Sequence, residues 1–367
     1  MQHGILLLRP TLTCIGPCSI RLGDRMSVIR LSICIPTYNF GAFIGETLQS
    51  IVDQPNDAVE IVIVDGGSTD NTAEIVRHFE RQFPRLTYHR LGKKGGVDKD
   101  LARTVELARG EYCWLLSSDD VLKQGAIRKV LHEIGRGDDV YLCNRMECDR
   151  TLHPLRDRPW LAKNITDRTF AFSSPGEFID YFNKARSLGA LFSYISAIIV
   201  KRSKWNGIAY DEKFAGSNYA HAARLFSILQ QGGLLKYLRE PLVFCRGDND
   251  SFSKHGVVRR FLIDLDGYRL LANTLFSDGD VKRAFLSVMR REHRWYVFAE
   301  LRSKIDGVER WNDFERKLIE YGYPRNKLFI VRTLGSLKYV MMAARAFWTA
   351  LKRLKALKAR IVRTIYK

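Results

Sequence analysis

The chain reads as an α/β protein, a mixed and mostly parallel sheet flanked by helices, followed by a helical C-terminal region. Three observations predict this. From Arg30 to about Ile134, short runs rich in β-branched and aromatic residues alternate with stretches of helical periodicity, the mark of βαβ units. Several of those runs end in a small, polar turn, at the strand ends where open α/β sheets hold their ligands. Beyond His255 the pattern is mostly helical.

Taken in order, strands are predicted over 31–36, 60–64, 86–90, 112–116 and 140–144. Between them Phe43, Thr47 and Ile51, then Ile75, Phe79 and Phe83, recur at helical spacing. Ser68 or Thr69 is expected to cap the second helix, with Asp70 in its first turn where the helix dipole favours a negative charge. From about 149 to 246 the pattern is less regular; it predicts a strand at 195–200 and a helix at 219–230. The expected organisation is an extension over 1–27 lying outside the fold, with Met26 as the natural start, a main domain over 28–250 whose nucleotide-binding half runs to about 135, and a helical region over 251–367.

Composition narrows the setting. No apolar run approaches the roughly 18 residues needed to cross a bilayer, and the longest candidate, 187–200, reads as core. The seven cysteines are odd in number and lack the paired spacing of a zinc site, which fits a reduced, cytoplasmic compartment. The net charge of +19 is unevenly spread, for no Asp or Glu follows Glu320 while Lys338, Arg345, Lys352, Arg353, Lys355, Lys358, Arg360, Arg363 and Lys367 crowd the end. There Val340, Ala344, Phe347, Leu351, Leu354, Ile361 and Ile365 share one side of a helix with Trp348 at its boundary, the pattern of a basic amphipathic helix on an anionic membrane surface. Peripheral attachment to the inner face of the cytoplasmic membrane is the expectation; packing of the same helix on the domain is the competing one. No nucleic-acid-binding motif accompanies the charge, so a nucleic-acid partner is not expected.

Three motifs carry the chemistry: Pro36-Thr37-Tyr38-Asn39, Asp65-Gly66-Gly67-Ser68-Thr69-Asp70 and Ser117-Ser118-Asp119-Asp120, each at the end of a predicted strand. Alone, each is ordinary turn punctuation; together, their order and spacing are informative. Adjacent Asp119 and Asp120 supply the hard oxygen ligands that Mg²⁺ or Mn²⁺ prefers, with phosphate oxygens and water left to fill the other positions. Such a cation can neutralise the charge that develops on a departing nucleoside diphosphate.

Through SICIPTYN (32–39), IVIVDGGSTDNT (61–72) and ARGEYCWLLSSDDVLKQGA (108–126), the chain resembles the family-2 glycosyltransferases, strongly over 30–135. The resemblance implies a GT-A fold, a nucleotide-sugar donor and a divalent metal. It also implies donor contacts at Pro36, Thr37, Tyr38, Asp65, Ser118 and Asp119, with metal held at Asp120 and Asp119. In the family's usual acidic pair after the second strand the second residue accepts the N3–H of uracil; glycine stands there as Gly66, which tilts the donor towards a CDP-sugar. The family's basic residue after that unit maps to GVDKDLAR, where Lys99 or Arg103 is the candidate, with Asp98 and Asp100 for the base or sugar pocket. The acidic pair that supplies the catalytic base aligns with Ser217 and Asn218, neither of which is a base. His221, Asp248 and Asp250 are the alternatives, since a base must reach the acceptor's proton and histidine titrates in the right range.

GVDKD, GALFSYISAIIV, GSNYAH and CRGDNDSF together resemble an abequosyltransferase-like subgroup. That implies transfer of a dideoxyhexose from its CDP form to a lipid-linked oligosaccharide in O-antigen synthesis. Two other readings are a sugar nucleotidyltransferase, which lacks support from any basic glycine-rich phosphate loop after the first strand, and a basic nucleic-acid-binding protein.

Overall fold

The computed structural model describes residues 28–336 apart from 56, 250–255 and 306–307, together with 346–349 and 351. Ten strands form one sheet: β1 Leu31–Thr37, β2 Val59–Asp65, β3 Leu86–Arg90, β4 Tyr112–Leu115, β5 Val121–Leu122, β6 Val140–Cys148, β7 Pro154–Arg158, β8 Arg168–Phe170, β9 Ile198–Lys201 and β10 Leu235–Cys245. The spatial order is β3-β2-β1-β4-β9-β6-β10-β5, with β7 beside β6 and β8 beside β10.

The left half is a parallel, doubly wound unit. β1 pairs in parallel with β2 on one side, Leu31 opposite Val59 through Thr37 opposite Asp65, and with β4 on the other, Leu31 opposite Tyr112. All seven residues of β2 are buried, as expected of a parallel strand covered on both faces. The helices Ile44–Val52, Thr72–Gln82 and Val97–Leu107 make the crossovers. After β3 the chain returns to the far side of β1, so strand order reverses between β1 and β4. A crevice opens at the carboxyl ends of strands flanking such a switch. β9 enters antiparallel between β4 and β6, turning the parallel half into a mixed sheet.

The predicted strands match within a residue or so except at two places. β6 runs on to Cys148, and 195–197 form a 3₁₀ turn ahead of β9. That turn lets Ser196 face β4 rather than continue the ladder, its Oγ accepting from Ser117 N at 2.9 Å. The second helix starts at Thr72, not after Ser68 or Thr69. Ser68 is already spent on Asp65 and Asn39, and Asp70 instead accepts from Thr72 N (3.0 Å) and Gly41 N (3.0 Å).

The C-terminal helices Val257–Leu275 and Gly279–Glu292 pack onto this body. Tyr268 lies 4.6 Å from Tyr219 between ring centroids, and Phe285 sits among Phe182, Phe226 and Phe276. Glu292 accepts from Leu188 N at 3.1 Å and pairs with Arg158. Among the described residues no helix is long and apolar enough to cross a membrane. Most of the basic tail and all of 1–27 lie outside the described residues. Within the tail, 346–349 are helical, Phe347 and Trp348 are exposed, and Trp348 stacks on Tyr296 at 6.3 Å.

Candidate active site

The end of β4 brings Asp119 and Asp120 to the crevice. Asp120 is 3% exposed. Its Oδ2 accepts from Ser196 Oγ at 2.5 Å and its Oδ1 from Arg246 N at 3.2 Å. Asp119 is half-buried and accepts from Ser117 Oγ and, at 2.8 Å, from Asn249 Nδ2. Arg246 locks the loop from below, donating through Nε to Asp119 O (3.0 Å), through Nη1 to Arg150 O (2.8 Å) and through Nη2 to Glu46 (2.5 Å). Among the described residues the donors to this carboxylate pair are neutral.

The electrostatic consequence is a strained acid. Burial first, then the charge of Asp119, push the Asp120 carboxyl up to about 7, against the pull of the Ser196 and Arg246 hydrogen bonds. The Tyr194 hydroxyl is buried close to Asp120, and burial together with the charge of Asp120 pushes its pKa up. Two adjacent carboxylates, one of them buried and raised by the charge of the other, fit a hard divalent cation, which would relieve their repulsion. Among the described residues no group of three or more His, Cys, Asp or Glu gathers into a closed cage. The donor set therefore suits a cation shared with a diphosphate.

The end of β2 is different. Asp65 is fully buried; Oδ1 accepts from Ser68 N (2.8 Å) and Ser68 Oγ (2.6 Å), and Oδ2 from Tyr88 Oη (2.5 Å). Its oxygens hold the turn. From β1, Pro36 and Tyr38 are half-buried at the crevice, Tyr38 lying under Lys94 Nζ at 4.2 Å from the ring centroid. The Thr37 hydroxyl is buried and unpartnered among the described residues, and Ser118 is buried beside the acidic pair.

The helix Val97–Leu107 separates its four candidates by face. Lys99 and Arg103, one turn apart, point outward and pair with Glu212 (3.1 Å) and Glu106 (2.9 Å). Asp98 is buried but is spent as a cap: Oδ2 accepts from Asn218 N (2.9 Å) and Oδ1 from Ala220 N (3.2 Å), at the start of the helix Ala220–Gln230. Asp100 is buried with Oδ1 unpartnered among the described residues.

Of the base candidates, His221 is a structural histidine. It is buried, its Nε2 hydrogen-bonds to Phe192 O at 2.8 Å, and burial lowers its pKa, so the ring is held neutral within the core. Asp248 is exposed on the loop after β10 in the left-handed region (φ 56), beside Asn249, which touches Asp119. Asp250 lies outside the described residues. Sequence reasoning missed Ser196, Arg246, Asn249, Tyr194 and Lys94. The available signals were polar residues inside the apolar run 187–200 and an arginine directly after a strand.

A sequence model of Glycosyl transferase family 2 matches residues 32–195, which take in all three motifs and stop one residue short of Ser196. Abequosyltransferase RfbV of Salmonella typhimurium (strain LT2) is 34% identical over 319 residues, covering 85% of this chain and 95% of that protein. The chain belongs to glycosyltransferase family 2. It is an enzyme of that family, abequosyltransferase-like in sequence along most of its length. Glycosyltransferase GlyG of Streptococcus pneumoniae is 32% identical over 122 residues, covering 33% of this chain and 40% of that protein. The fold is that of S. aureus TarS 1–349 in complex with UDP-GlcNAc, with a TM-score of 0.58 at 18% identity over 86% of this chain and 92% of that one. The GT-A architecture expected from the motifs is thus the architecture found.

Proposed function

We propose that this family-2 glycosyltransferase moves a dideoxyhexose or similar sugar from a CDP-linked donor to a lipid-linked oligosaccharide, in surface polysaccharide or O-antigen synthesis at the inner face of the cytoplasmic membrane. The observation that carries the reading is the likeness to abequosyltransferase RfbV over nearly its whole length, well past the motifs shared by the family at large. Glycine at position 66, in place of the family's second acid, supports a donor other than the common UDP type.

Asp119 and Asp120 are the residues that would hold Mg²⁺ or Mn²⁺, and a bound cation would neutralise charge on the leaving diphosphate. Ser196 and Arg246 orient Asp120 through its two oxygens, while Asn249 and Ser117 orient Asp119. Thr37 offers its unspent hydroxyl to the nucleoside, and Tyr38 with Lys94 forms an adjoining wall. Asp248, exposed next to Asn249 in the loop that reaches Asp119, is the proposed base for the acceptor's proton. Exposed Phe347 and Trp348 in the basic tail would rest on the membrane that carries the acceptor.

The test is thermal unfolding with CDP, UDP, GDP or dTDP, each with and without Mn²⁺. CDP with Mn²⁺ should raise the midpoint most; a ligand at 100 times its Kd adds about 2.7 kcal/mol to the native state. A clear preference for UDP returns the donor to the common type, and no shift with any nucleotide removes the donor reading.

A further inference from the structure

Asp98 and Asp100 are neighbours in one helix, both buried, and they differ in what they do. Asp98 gives both oxygens to the start of another helix. Asp100 leaves Oδ1 without a well-aligned hydrogen bond among the described residues, the Gly95 amide standing close by, although the residue is only 4% exposed. Leaving a buried acceptor unmatched costs on the order of 1–3 kcal/mol, more for a charged group, so a partner from outside the chain is the economical explanation.

The surroundings are shaped around this carboxylate. A Cβ at Gly66 would stand 3.0 Å from Asp100 Oδ2 and 3.5 Å from the Tyr38 ring, and one at Gly95 would stand 2.4 Å from Oδ1. Two glycines therefore leave room for one carboxylate, which fills the space that a side chain at position 66 would take. Gly66 N donates to Thr37 O at 2.9 Å, so the carboxylate lies at the joint end of β1 and β2, near the Thr37 hydroxyl, which is likewise buried and unpartnered. Burial pushes the Asp100 carboxyl above its ordinary value; the Gly95 amide and the Lys94 charge pull it back, and Asp65 adds to the rise.

Which part of a donor meets it follows from the sheet. The acidic pair sits after β4, on the far side of β1 from β2. A diphosphate anchored there leaves its nucleoside to lie over the ends of β1 and β2. A carboxylate repels phosphate but accepts from N–H, as acidic side chains do from the cytosine amino group. We infer that Asp100 is the specificity residue for the donor's base, accepting from an N–H on its pairing edge, the N4 amino group of cytosine in the donor proposed above. The inference rests on that nucleotide-donor reading.

The experiment is calorimetric titration of the full chain in Mn²⁺ with CDP, UDP and, as a probe without a base, inorganic pyrophosphate. Asp100→Ala should weaken CDP at least tenfold and leave pyrophosphate unchanged. Asp100→Asn, which keeps the volume and guards against misfolding, should narrow the preference for CDP over UDP, because an amide presents a donor as well as an acceptor. Gly66→Asp combined with Asp100→Ala returns a carboxylate from the opposite wall, at the position of the family's uracil acceptor, and should shift the preference from CDP towards UDP. CDP affinity within twofold of the parent in Asp100→Ala overturns the inference, and so does an equal loss for pyrophosphate, which marks a structural role. A parent chain that binds pyrophosphate but neither nucleotide removes the donor reading and this inference with it.

Discussion

After β2 the sheet delivers Asp65 into a turn that satisfies it from nearby: Ser68 three residues on, and Tyr88 from the adjacent strand. After β4 it delivers Asp119 and Asp120 together, and the donors to Asp120 come from 76 and 126 residues away. The first acid is saturated and stabilises its own loop. The second is buried beside another negative charge and raised to about 7, a state that structure alone has no use for. Asp65 is held by its own turn and the adjacent strand, whereas Asp120 is held by distant elements against the charge of its neighbour.

The sharpest way to break this comparison is Asp120→Asn. It keeps the shape, removes the charge, and should lower turnover at least ~10³-fold, since metal stabilisation of a leaving group contributes several kcal/mol. The thermal midpoint without metal should hold or rise because the repulsion with Asp119 is gone. Steady-state rates and unfolding curves measured with Mn²⁺ and with a chelator check both parts; full activity in the variant, or in chelator, would remove the metal assignment.

Asp65→Ala should behave in the opposite sense. It strands the Ser68 and Tyr88 donors and should cost roughly 1–3 kcal/mol of stability by denaturant unfolding, while the folded fraction still binds pyrophosphate. Unchanged stability with lost nucleotide affinity would mean that Asp65 contacts the donor after all. A smaller effect is expected from Ser196→Ala, which frees Asp120 Oδ2 and should weaken Mn²⁺ binding about 10-fold, the scale of losing an outer partner of a ligand; titration of Mn²⁺ in the presence of CDP reads it. Smallest of all is Lys99→Ala with Arg103→Ala. Both are exposed ion pairs, so stability should move by less than about 1 kcal/mol and kcat/KM hardly at all. A large loss of kcat/KM there would assign one of them the family's basic role.

What was legible in the sequence follows the same division between local and distant. The parallel half could be read almost to the residue because each strand is a short apolar run closed by a turn, and those signals lie within ten residues of each other. The three motifs were legible for the same reason. The capping contacts of Asp98 are not legible in the sequence because the backbone it caps, at 218 and 220, lies some 120 residues further along. Lys99 and Arg103 were assigned by alignment to a motif, whereas helical phase, which was readable, already put them on the face opposite Leu101 and Val105. Ser196 looked like the interior of a strand; only the 3₁₀ turn, set by the need to reach Ser117 and Asp120, turned it into a bridge. Arg246 went unnoticed beside the aspartates that follow it, yet it is the residue that ties four separate segments together.

The reach of Arg246 also bears on how the protein is made. A ribosome adds about 5–20 residues per second, so the 126 residues between Asp120 and Arg246 take roughly 6–25 seconds to synthesise. During that interval β1 to β4 are already available to pair, and the acidic loop they deliver has neither the Arg246 amide nor its guanidinium. The nascent chain thus carries its motifs well before it carries a finished site, and nucleotide binding by chains stalled before residue 246 should lag behind their folding.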